Sequence, residues 1–371
     1  MSISCTNQPD AQTYSANIAF TRQIKLNKMN KLTFLLSTVL LGLSASIFAQ
    51  TLYVDAVNGK DVAKGTITDP LRNLENAIVL ANSFTGNMPV TIKIAPGLYV
   101  LPHKLVIQSQ NLADTAKYSL EARVMPDNAT WRPAKMPVIQ SLSDTNRGSV
   151  KFRYAVAFQV ERNNVSFKGL KFLGNPNPGL GYFYAIDRKN EKLKGLEITQ
   201  CYFIADKNSS PMQGAVFAQG DAINIDHCIF YGCKNAVLVF LGLKNFSLTH
   251  SIIYGAYEAA VWYGYGESSN APFTFSNNVI SNCNYFWVSE KYHEHHYIFR
   301  NSLIANNTNY MGFNGMEVEG HDLKNTPVEI NIRKFGAVLL NEITAGGVPD
   351  NYLNLSPAST GNSLHAGIFK K

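Results

Sequence analysis

From residue 165 onward one pattern returns six times: apolar, any, apolar, two residues, a small or amide residue, any, apolar. The instances are Val165-Phe167-Leu170-Phe172, Leu196-Ile198-Cys201-Phe203, Ile223-Ile225-Cys228-Phe230, Phe246-Leu248-Ser251-Ile253, Phe273-Phe275-Asn278-Ile280 and Tyr297-Phe299-Ser302-Ile304, with starts 31, 27, 23, 27 and 24 residues apart. Alternation with a period of two, broken by a fixed interval, means two short strands joined by a tight corner, because only then do both apolar pairs point inward. A period in the twenties means that each such unit stacks on the one before it. Leucine-rich repeats share the period, but they need a Leu run, an Asn at set offsets and a helical stretch, and this chain has none of these. A third apolar strand follows each pair, as in 236–240, 259–263 and 286–288. The expected fold is therefore all-β: a single-stranded right-handed parallel β-helix with three strands per coil.

In such a stack Cys201, Cys228, Ser251, Asn278 and Ser302 form one corner ladder, with rungs about 4.8 Å apart. Cys201 and Cys228 are then neighbours whose parallel side chains are poorly angled for a bridge, and Cys233 and Cys283 are separated by the rung of Ala256. All four are expected as free buried thiols. A solenoid must cover its open end. The segment 73–82 has helical spacing at Leu74, Ala77, Ile78 and Ala81 and would plug the first coil.

Ahead of the repeats, Lys28 and Lys31 precede an uncharged run from Leu32 to Phe48 that closes on small residues around Ala49. This is the form of an export signal, with cleavage expected after Ala49 and translation starting at Met1 or Met29. The division is thus 1–49 as leader and 50–371 as one β-helix domain, secreted or periplasmic, without a membrane span in the mature chain and monomeric. The full chain carries +7, and residues 50–371 carry 29 basic against 25 acidic residues. That mild basicity suits an anionic ligand. No Lys/Arg-rich run with interleaved aromatics is present, which argues against nucleic acid.

The stretch LYVDAVNGKDVAKGTITDPLRNLENAIVLAN, followed by VTIKIAPGLYV, holds a strand, a Gly/Asp loop, a Pro-led helix at Pro70 and a PGxY turn at Pro96, Gly97 and Tyr99. With the closing segment around Leu355, Ser356, Pro357 and Gly367, it resembles secreted β-helix proteins of the pectate lyase-like superfamily across roughly 51–369. The resemblance implies architecture and selects no enzyme family. The paired-Asp signature of polygalacturonases and the Asp-rich calcium cluster of pectate lyases are missing, which counts against both assignments.

Inward residues of a β-helix are core, so chemistry belongs to outward positions and long connections. The connections from the third strand to the next coil carry Glu161-Arg162, Asp187-Arg188-Lys189, Asp221, Lys244, Glu267 and the run Glu290-Lys291-Tyr292-His293-Glu294-His295-His296. Stacking would place them in one stripe beside outward Trp262 and Trp287. Such a stripe fits a polysaccharide groove, with sugar faces on indole and ionised groups meeting uronate carboxylates. Lys291 or His293 could abstract the proton α to a uronate carboxylate, with Arg300 or Arg188 neutralising that carboxylate. Arg188, Lys244 and Glu294 join the two tryptophans as substrate contacts. Glu267 and Glu290 could instead form the acid pair of a hydrolase. His293, His295 and His296 with Glu290 or Glu294 could hold a divalent cation, but without the helical i, i+4 spacing or cysteine set that marks zinc, so no metal ligand is assigned. The bland reading of the His run is a solvated loop. Three functions stay open: a lyase on an acidic glycan, which leads; a non-catalytic glycan-binding solenoid; and a glycoside hydrolase.

Overall fold

The computed structural model describes residues 50–144, 153–264, 272–289, 297–313 and 327–370. Among them, three sheets of ten, eight and eight strands run the length of the domain, and every strand pair within them is parallel. One coil shows the path. Asp221–Asp226 lies in the ten-stranded sheet 1, Ile229–Tyr231 in sheet 2 and Asn235–Val239 in sheet 3, and the chain re-enters sheet 1 at Phe246–Thr249. The fold is a right-handed parallel β-helix, the hand expected of parallel crossovers.

All six repeats lie in register along sheet 1, where Phe167, Ile198, Ile225, Leu248, Phe275 and Phe299 occupy one inward column. Three strands upstream of the recognisable repeat, Gln50–Val54, Val90–Ile94 and Tyr118–Ala122, extend the same sheet. The core is stacked like on like: Phe172, Phe203 and Phe230 lie face to face with successive centroids 4.8 Å apart. Domain entry is closed by helix α1 (Leu74–Asn82), whose buried residues are Leu74, Ala77, Ile78 and Ala81. Asn73 caps it by accepting a hydrogen bond from Asn76 N.

The turn from sheet 1 to sheet 2 is made by one left-handed residue per coil: Gln200, His227, His250, Asn277 and Asn301 have φ between 44° and 56°. Amide and imidazole side chains are found there because they tolerate this conformation better than branched ones. The next residue builds the inner ladder. Cys228 N donates to Ser251 Oγ (3.1 Å), Ser251 N to Asn278 Oδ1 (2.9 Å) and Asn278 N to Ser302 Oγ (3.0 Å). Each rung thus satisfies a backbone donor that the tight turn takes out of the sheet. Cys201, Cys228, Cys233 and Cys283 are free and buried, and burial pushes the thiols of Cys233 and Cys283 up to about 12.

Sheet 2 is largely apolar on both faces, and from Tyr202 to Leu303 its outer face is covered by the C-terminal segment. Tyr202, Ile229, Ile252, Val279 and Leu303 pack there with Val338, Leu353, Leu355, Ala366 and Ile368 as a second core. Trp131 meets Phe369 edge to face at 5.3 Å, and Tyr202 Oη donates to Tyr352 O at 2.7 Å.

Sheet 3 departs from simple alternation. Its strands put two successive residues into the core: Ala185-Ile186, Ala215-Val216, Ala236-Val237, Ala260-Val261 and Phe286-Trp287. Side chains alternate only along a straight strand; here successive coils bend together, so each residue after the bend changes face. Trp287 therefore pairs with Val261 and not with Trp262, and is fully buried at 0% exposure. The expectation that Trp287 points outward is corrected: it is a core residue, ringed by Tyr263, Tyr297 and Phe299 at 5.2–5.4 Å. Trp262 pairs with Val288 and stays half-buried on the outer face.

Candidate functional site

Beyond the bend, the outward column of sheet 3 reads Gln159, Asp187, Phe217, Leu238, Trp262 and Val288. Aromatic rings continue along this face from coil to coil. Tyr184 lies 5.3 Å from Phe217, Phe217 5.4 Å from Phe240 and Phe240 6.2 Å from Trp262, with Tyr182 stacked 6.1 Å from Tyr184. Gly214 is required beneath this strip, since a Cβ there would stand 2.7 Å from both Tyr184 and Leu238. Half-buried rings on an outer face offer flat apolar area edged by polar groups, the surface that packs against sugar C–H faces.

Three lysines flank the rings. Lys104 Nζ donates to Gln159 Oε1 at 2.6 Å, Lys189 lies 4.3 Å from the centre of the Tyr154 ring, and Lys234 donates to Tyr182 Oη at 3.1 Å while pairing with Glu258 at 3.2 Å. Among them sits Asp187, 1% exposed, with Lys189 Nζ 3.5 Å from Oδ2 and with no hydrogen-bond partner for Oδ1 among the described residues. Burial pushes its carboxyl up to about 6, against the pull of Lys189 and Lys104 and with help from Glu161. A carboxyl poised near neutrality inside a cationic, aromatic face is suited to proton transfer on an anionic substrate.

Several sequence-stripe residues have other places. Arg188 is 0% exposed, in register with core Ala218, and donates to Gln219 O (2.8 Å) and Asp221 O (3.1 Å), with its guanidinium pushed down to about 10 by burial. Its expected role as a substrate contact is corrected, since strand alternation turns it inward, where it satisfies turn carbonyls. Arg162 does the same for Ala113 O and Ala116 O. Arg300 is exposed, but it ends its strand in the column of Asp226, Thr249 and Ser276, at the sheet 1 to sheet 2 corner and one strand length from the stripe. Lys244 is exposed on the connection between sheets 3 and 1. Glu267, Glu290, Lys291, His293 and Glu294 lie outside the described residues. Asp187, which alternation hides beside Arg188, was visible only as one charge in the stripe.

No protein-family model and no curated protein sequence matches the chain. Among solved structures it is similar to the pectin methylesterase from Aspergillus niger in deglycosylated form, with 13% identity over 77% of this chain and 88% of that one and a TM-score of 0.45. A rhamnogalacturonan lyase gives 14% over 86% and 100% at 0.41, and XylC in complex with xylose 11% over 78% and 70% at 0.40. The strand register, rather than these likenesses, carries the fold.

A second polar cluster occupies the sheet 1 to sheet 2 corner. Asp226, His227 and His250 bring ligand-type atoms within 4.8 Å of one another, yet each is already engaged. His227 Nδ1 meets Gly367 O at 2.9 Å, His250 lies between Asp226 Oδ1 (3.3 Å) and Asn277 Nδ2 (3.0 Å), and the Lys370 ammonium stands 3.1 Å from Asp226 Oδ2. This is a clasp for the C-terminal segment, joined by Gln200 Nε2 to Ile368 O (2.8 Å) and Lys370 N to Asp127 Oδ1 (3.0 Å). Burial holds the His227 imidazole below its ordinary value. For Asp226 burial acts upward, but hydrogen bonds from Thr249 and Lys370 and the nearby positive groups bring it below the usual carboxylate range. Both groups bind fewer protons in the folded corner than when exposed to solvent, so the stability they contribute is complete above about pH 6.5 and falls as pH drops from there to below about 4. Hydrogen exchange should show Leu353–Ile368 losing protection over that range before the coil strands do. Equal protection of tail and coils at both ends of the range would contradict this.

Proposed function

We propose that this chain is an exported carbohydrate-active protein that binds an acidic polysaccharide along the outer face of sheet 3 and cleaves it by β-elimination. One observation carries the reading: a buried carboxyl held at about 6, Asp187, shares a face with Lys104, Lys189 and Lys234 and with rings running from Tyr154 to Trp262. The rings supply sugar platforms, the lysines meet uronate carboxylates, and the ionised Asp187, uncovered as Lys189 turns from it to the substrate carboxylate, accepts the proton α to that carboxylate. Among the described residues no helix is long and apolar enough to cross a membrane.

Absorbance at the wavelength of unsaturated uronates is the direct test, on a panel of uronans with reducing ends measured in parallel. Elimination gives the chromophore and new ends together. Ends without chromophore would replace the reading by hydrolysis, and binding without either would replace it by a non-catalytic glycan module. Export predicts that the protein recovered outside the cytoplasm begins at Gln50.

A further inference from the structure

The outer face of sheet 1 lies on the other side of the connections from the sheet 3 site and differs from it in chemistry. Two depressions of about 380 and 230 Å³ share Ala222 and Asn224 and so form one trough running across the coils. Its floor is a register column, Glu197, Asn224, Ser247 and Thr274, one outward side chain per coil. Asn164 and Asn245 stand at the margin nearer the turns. The rungs repeat about every 4.8 Å. Glu197 is bridged by Lys117 and by Lys168, the latter at 3.0 Å, so the one acid of the column is neutralised within the protein. The side chains of Asn224, Ser247 and Thr274 have no hydrogen-bond partner among the described residues.

We propose that this trough is a second, non-catalytic glycan-binding site, for a neutral, extended polysaccharide lying along the solenoid axis. A column of hydroxyl and amide groups repeating at close to the length of one extended sugar unit matches a chain that presents hydroxyls at a similar repeat. Beyond Glu197 the column is uncharged, and the two lysines beside it are both held by its carboxylate, so the trough offers a uronate chain no row of cations repeating from coil to coil. A protein partner is disfavoured as well, because hot spots need aromatic or arginine anchors and none lies on the column. With no ring to stack on, each sugar contributes only hydrogen bonds, and affinity comes from engaging several rungs at once. The proposal goes beyond the sheet 3 reading and does not depend on it.

Affinity electrophoresis of the full mature chain through gels containing a neutral β-1,4-glucan or β-1,4-galactan tests it. Wild type should be retarded by at least one of them. Asn224→Ala should weaken binding about two- to tenfold, the value of one hydrogen bond, and Ser247→Trp or Thr274→Trp should abolish it by filling the trough. Trp262→Ala should leave it unchanged, and all trough variants should keep wild-type circular dichroism and wild-type behaviour on short uronate oligomers. Wild type unretarded by both gels, or retardation that survives Ser247→Trp and Thr274→Trp, would overturn the proposal. Retardation lost in Trp262→Ala would assign neutral-glycan binding to sheet 3 instead. Failure of the uronan assay alone would leave this result standing, so the two readings are separable.

Discussion

Asp187→Asn should reduce turnover of the responsive uronan by about 10²- to 10⁴-fold, the range for removal of a general acid or base. The direction of the pH dependence identifies the role. Because burial holds the carboxyl at about 6, an Asp187 acting as base makes the wild-type rate rise with pH through that value. An Asp187 acting as acid, as hydrolysis would require, makes the rate fall through it. The Asn variant should lose that limb of the profile in either case. Stability supplies the control: a carboxyl whose folded value is raised contributes stability that is complete below its unfolded pKa and is lost as pH climbs through about 6. Asp187→Asn should therefore be no less stable than wild type in mild alkali while being far less active. Wild-type turnover in the Asn variant would remove Asp187 from the chemistry.

Trp287→Ala should destabilise the domain by about 3–5 kcal/mol, the cost of emptying a large buried aromatic site. Its neighbours, Tyr263, Phe273, Phe275, Tyr297 and Phe299, belong to three successive coils and stack around it, so little local collapse can refill the space. Trp262→Ala, on the same sheet one coil earlier, should shift the denaturation midpoint much less and act on glycan binding instead. Similar midpoints for the two variants would mean that the strand bend is misplaced and that Trp287 faces out.

The coil architecture was legible because each strand pair of sheet 1 and sheet 2 keeps a strict two-residue period, which only an inward column can impose. The capping helix was equally plain from four apolar positions at helical spacing. Sheet 3 was not, because its period breaks in the middle. The clue is present in the sequence as Ala185-Ile186, Ala215-Val216, Ala236-Val237 and Ala260-Val261, a small residue followed by a branched one at the same place in each coil. The pair Phe286-Trp287 occupies that position too, but two large aromatics disguise it, and strict alternation then sends Trp287 to the wrong face. Arg188 looked like a ligand contact for a different reason: Asp187-Arg188-Lys189 reads as a connection, whereas the strand runs on through Tyr182–Arg188 and turns Arg188 inward and Asp187 outward. The clasp at Asp226, His227 and His250 was illegible for another reason: it joins residues 140 apart in sequence, His227 and Gly367, which no local pattern relates.

In a stack of coils each layer touches only the layers beside it, so loss of order can begin at an end and peel inward. The C-terminal segment changes that, since Lys370 reaches Asp127 across 243 residues and Phe369 reaches Trp131. It runs lengthwise over layers that otherwise know only their neighbours, like a binding glued along the spine of a book. The last coil is then the wrong place to start unravelling: the pages come loose only after the spine has been lifted, and they should come loose together.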